Sequence, residues 1–106
     1  MQDTALSAKI AALNDAARRN VMSYLTSAGV ISLEPSIVGD IYTAVRNFSR
    51  FTEDNDPYGE HDFGSFELHG QKIFWKLSCY GDRKQGIDQL DPRCERVLTV
   101  MLAEEW

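Results

Sequence analysis

The stretch that decides the fold is FGSFELHGQKIFWKLSCY, Phe63 to Tyr80. Two runs rich in aromatic and β-branched residues, Phe63 to Leu68 and Gln71 to Tyr80, flank the pair His69-Gly70, which is the pattern of a β-hairpin with a two-residue turn. If Leu68 faces Gln71, then Glu67 faces Lys72, Phe66 faces Ile73 and Gly64 faces Trp75. Leu68, Phe66, Ile73, Trp75, Leu77 and Cys79 then share one face, and Gly64 leaves room for the indole opposite it. The other face carries Glu67, Lys72 and Lys76 beside Phe63, Phe74 and Tyr80. It is only half polar, so a helix or a partner is expected to cover part of it.

Working outward, Leu6, Ile10, Leu13 and Ala17 recur at helical spacing and predict a surface helix from Thr4 to Arg19. The alternation of Val21, Ser23 and Leu25 against Met22 and Tyr24 suits either a short strand or a second helical segment. Pro35 fits a first helical position, and Ile37, Val38, Ile41, Val45 and Phe48 form the stripe of a second helix. Beyond the hairpin, Gly81 to Gln89 reads as a polar connection. Asp91-Pro92 followed by Val97, Leu98, Met101 and Leu102 predicts a last helix. The expected fold class is α+β: two or three helices packed on a small antiparallel sheet containing the hairpin 63–80, in one domain over 1–106.

The chain has 106 residues and a net charge of −5, which argues against direct nucleic-acid binding. Its charge is unevenly placed. From Phe51 to Gln71 there are six acids and no Lys or Arg, whereas the remainder holds ten acids and eleven bases. No apolar run approaches the roughly 18 residues of a membrane span, and the first residues, which lack a basic stretch followed by an apolar one, are not expected to act as a signal peptide. A soluble cytoplasmic monomer is expected. Cys79 and Cys94 are expected to be reduced and buried, with a disulfide between them as the alternative.

The acidic stretch FTEDNDPYGEHDFG crowds Asn55, Asp56, Pro57 and Gly59 together and predicts an exposed loop. As a calcium loop it fails, because Tyr58 and Ser65 stand where the fifth and twelfth positions need oxygen donors of another kind. HxH and HExxH motifs and a nucleophile elbow are absent, so no catalytic residue, metal or cofactor is assigned. In an extended segment Glu60 and Asp62 would lie roughly 6.7 Å apart on one face, near the spacing of adjacent phosphates. The carboxylates are therefore expected to imitate nucleic acid, with Tyr58 as an aromatic anchor. The expected partner-binding set is Glu53, Asp54, Asp56, Tyr58, Glu60 and Asp62. Charge reversal at Glu53, Asp54 and Asp56 should then spare stability and abolish binding. The alternatives are a metal-assisted hydrolase or nuclease using His61 with Glu60, Asp56 and Asp62, a regulatory subunit of a bacterial complex, or a stretch that merely keeps a turn soluble.

That same block, with IFWKLSCY and the closing RVLTVMLAEEW, resembles a family of small uncharacterised proteobacterial proteins known only as a domain of unknown function. The resemblance spans nearly the whole chain and departs from the family pattern at Ser78 and Cys79. It carries over no catalytic residue. Members are common on plasmids and prophages, which implies an antagonist of host defence such as an anti-CRISPR protein. The implied partner is a protein with a basic nucleic-acid-binding surface, for example a subunit of a CRISPR surveillance complex.

Overall fold

The computed structural model describes residues 4–81, 84–85, 90 and 94–106. In chain order these form α1 (Thr4–Arg18), β1 (Leu25–Thr26), α2 (Ala28–Ile31), α3 (Pro35–Arg46), β2 (Phe63–Leu68), β3 (Gln71–Gly81), β4 (Lys84–Gln85) and β5 (Glu95–Leu102). Single 3-10 turns occupy Val21–Ser23 and Ala103–Glu105. The architecture is α+β, as the patterning predicts.

The hairpin forms in the predicted register, with Gly64 opposite Trp75, Phe66 opposite Ile73 and Leu68 opposite Gln71. His69 and Gly70 both have positive φ, 51° and 76°. A tight turn with that geometry follows the right-handed twist of the strands it joins. The strand order is β1-β5-β3-β2, with β4 added to β3. Only β1 departs from the expected antiparallel pattern, because it runs parallel to β5.

The expected last helix is a correction. Glu95–Leu102 is a strand in the middle of the sheet, and Asp91-Pro92 lies outside the described residues. Leu98, Val100 and Leu102 are buried in alternation, which is strand periodicity. The apolar positions 97, 98, 101 and 102 also satisfy helical spacing, and β3 offers an unpaired flank that only another strand can fill.

One face of β3 and β5 forms the core. Ile73, Trp75, Leu77, Leu98, Val100 and Leu102 meet Val30 from α2 and Ile41 and Val45 from α3, with Phe48 just beyond α3. The opposite face is covered in part by the chain itself. Trp106 packs edge-on against Phe63 and Phe74, at 5.3 Å from each ring, with the Lys76 ammonium 5.7 Å from its centre. Glu105 fixes this tail by accepting hydrogen bonds from Ser27 Oγ and from the backbone amides of Leu102 and Gly29. The Ser27 bond first, and the amides after it, hold the Glu105 carboxyl below the usual carboxylate range.

Two further expectations need correction. Cys79 and Cys94 are joined in a disulfide and are not free thiols, so β3 is tied to the start of β5 across a Cα separation of 5.3 Å. In α1, Leu6 and Leu13 are exposed, at 44% and 45%, whereas Ser7, Asn14 and Arg18 are buried beside Ile10 and Ala11. The spacing of four, three and four is right, but the buried face begins one residue later, about 100° round the helix. What turns α1 is a set of polar partners on the loop that precedes β2.

Candidate functional site

The acidic loop between α3 and β2 is built as a series of self-bonded turns. Thr52 and Asn55 bond each other reciprocally, the Thr52 amide to Asn55 Oδ1 at 2.8 Å and the Asn55 amide to Thr52 Oγ1 at 3.3 Å. The Asn55 amide group donates to the Arg50 carbonyl, and the Asp56 amide to the Thr52 carbonyl. Asn and Asp favour such turns because their short side chains substitute for a backbone turn.

Asp56 points inward. Its side chain is only 5% exposed, and Oδ1 accepts the amides of Glu60 at 3.1 Å and His61 at 3.2 Å. Those bonds hold His61 at φ 56°, in a left-handed conformation that a non-glycine residue adopts only with compensation. This overturns the extended reading of Glu60 to Asp62. The backbone turns left-handed at His61 and strand β2 begins only at Phe63, so Glu60 to Asp62 is not one extended segment.

Around His61 the loop docks onto α1. Nδ1 lies 3.0 Å from Asp15 Oδ1 and Nε2 lies 3.7 Å from Asp56 Oδ2, while the ring stacks on Phe51 at 3.8 Å, nearly parallel. Asn14, fully buried, donates to the Glu60 carbonyl at 2.9 Å and accepts from Arg96 Nε of β5 at 2.8 Å. Arg18 reaches Asp15 at 2.8 Å and the Phe48 carbonyl at 3.1 Å, and its guanidinium lies over the Phe51 and Trp75 rings at 5.4 and 5.3 Å. Burial acts to raise the Asp15 carboxyl, but the hydrogen bonds from Arg18 and His61 outweigh it and leave it below its ordinary value.

Asp62 is shifted the other way. Burial is the main cause, and the nearby Asp56 charge adds to it. An acid whose folded pKa is raised burdens the fold when ionised, a penalty present at neutral pH and relieved as pH falls through the folded value towards the unfolded one. Asp62→Asn is therefore expected to raise the thermal midpoint at neutral pH. The gain should vanish in acid, below the ordinary Asp range, where both forms are neutral. A midpoint lowered at neutral pH would show that the carboxylate is a needed acceptor.

The six residues expected from sequence thus separate. Glu53, Asp54 and Tyr58 are exposed, Tyr58 by 66%. Asp56 is buried, and Glu60 and Asp62 are half-buried. Sequence reasoning missed Asn14, Asp15, Arg18 and Arg96, which hold the loop from below. Their signal was present in α1, where Ser7, Asn14 and Arg18 repeat with helical spacing, but polar residues do not register as a buried stripe. Among the described residues, no three His, Cys, Asp or Glu side chains converge as a metal site, and both nitrogens of His61 face carboxylates.

Among the described residues no helix is long and apolar enough to cross a membrane. A family model described as a protein of unknown function, DUF3768, matches residues 25–105, so that α1 precedes the matched span. No curated protein and no solved structure matches significantly.

Proposed function

The chain belongs to the DUF3768 family, whose description names no activity, and from its own surface we propose that it is a non-enzymatic binding domain that docks its acidic loop on a basic, nucleic-acid-binding protein surface. One observation carries this reading. The loop is pinned from inside by Asp56, Asn14 and His61, while Glu53, Asp54 and Tyr58 stand outside. A segment ordered before it binds loses less conformational freedom on association, and an aromatic flanked by carboxylates suits a cationic partner. The mimicry rests on the two exposed charges of Glu53 and Asp54, with the Tyr58 ring, rather than on a regular strip.

The most specific form of the proposal is inhibition of a CRISPR surveillance complex, which draws on the resemblance to proteins of mobile elements. The test is capture of a purified surveillance complex by the tagged protein at low and high salt. Capture is expected at low salt and should weaken as salt screens the contact. Glu53→Lys with Asp54→Lys should abolish it and leave the thermal midpoint nearly unchanged, because exposed charges contribute little to folding. Undiminished capture by that double variant would sink the proposal.

A further inference from the structure

A second surface bears the opposite charge. Between the C-terminal ends of α1 and α3 lies a cleft of about 380 Å³ lined by Arg18, Arg19, Arg46, Asn47 and Ser49, with Asp15 as its one carboxylate. The chain's net charge is −5, yet three of its seven arginines gather here. The Asp15 charge is already engaged by Arg18 and His61. Arg18 is 4% exposed and uses two nitrogens on Asp15 and Phe48, but its buried Nε has no hydrogen-bond partner. Arg19 and Arg46 are exposed and form no ion pair with a carboxylate among the described residues. Complementing two helix ends explains why an arginine sits at each. It does not explain a cavity between them carrying uncompensated charge.

We propose that this cleft binds a phosphate monoester of up to mononucleotide size, held by Arg19 and Arg46 in front of the fixed charge of Arg18. Two free guanidinium groups match a dianion, which takes up both charges where a single carboxylate takes up one, and the planar guanidinium fork fits phosphate oxygens. Asn47 and Ser49 supply neutral donors. Small-ligand sites run from about 300 to 1,000 Å³, so this volume is enough for a sugar phosphate or mononucleotide. The Phe51 and His61 rings, stacked on each other, form part of the wall.

Calorimetric titration at constant ionic strength with ribose phosphate and with adenosine monophosphate, against acetate as control, tests the site. Saturable binding of either phosphate is expected, with tighter binding of the nucleotide assigning the ring-lined wall to the base and equal affinities assigning the site to the sugar phosphate alone. Arg19→Gln and Arg46→Gln should each weaken binding by about tenfold or more. Arg50→Gln, an exposed arginine outside the cleft, should leave it unchanged. Absence of saturation, equal heat from acetate, or full affinity in both arginine variants would overturn the proposal.

Discussion

Replacing Trp75 by Ala is expected to lower folding stability by about 3 to 5 kcal/mol, read as a shift in the urea midpoint at unchanged slope. Trp75 is wholly buried and packs edge-on against Phe48 at 5.4 Å and Phe51 at 6.2 Å, with Arg18 over its ring. Its loss would leave a cavity beneath both the helices and the docked loop. Gly64 is its necessary partner, since a Cβ there would stand 2.5 Å from Trp75 Nε1. Gly64→Ala alone should therefore destabilise by about 1 to 3 kcal/mol, because a wedged indole cannot retreat into a packed core. In the Trp75→Ala background the same methyl enters empty space, and its cost should fall to near zero. The two effects must be strongly non-additive, as expected for side chains in direct contact. Additive effects would show that the hairpin, not the indole, rejects the methyl.

Asp56→Ala should cost about 2 to 3 kcal/mol, because it leaves the amides of Glu60 and His61 without their acceptor and removes the group that holds His61 in its left-handed turn. Asp56→Asn keeps a carbonyl oxygen at that place and should cost less. Chemical denaturation compares the two, and equal losses would mean that charge rather than hydrogen bonding fixes the loop. The expectation that reversing Asp56 spares stability is withdrawn on the same ground. Only Glu53 and Asp54, which are exposed, remain suitable for charge reversal as a binding test.

The hairpin was legible because its turn, alternation and one glycine opposite one tryptophan all point to a single register. α3 was legible too, with Val38, Ile41 and Val45 buried as their stripe requires. β5 was not, since a run of Val, Leu, Thr and Met meets either period and only the vacant flank of β3 decides between them. The face of α1 was hidden for a different reason. Asn14 and Arg18 are buried to satisfy a loop some 30 to 46 residues away, a pairing no local window contains. The candidate site followed the same division: residues at the loop tip could be picked from charge, but Asp56 looked like its neighbours until its partners were in view.

The strand order bears on how the protein is made. Among the described strands β5 comes last in chain order, yet it lies between β1 and β3, and β1 has its ladder on β5. During translation, at about 5 to 20 residues per second, the hairpin can close as soon as it emerges, because its partners are neighbours in the chain. β1 and the inner flank of β3 must wait for β5 to leave the ribosome. The nascent chain therefore carries an open sheet edge for several seconds, the period in which chaperones would find it and in which pairing with another chain competes with completion of the fold.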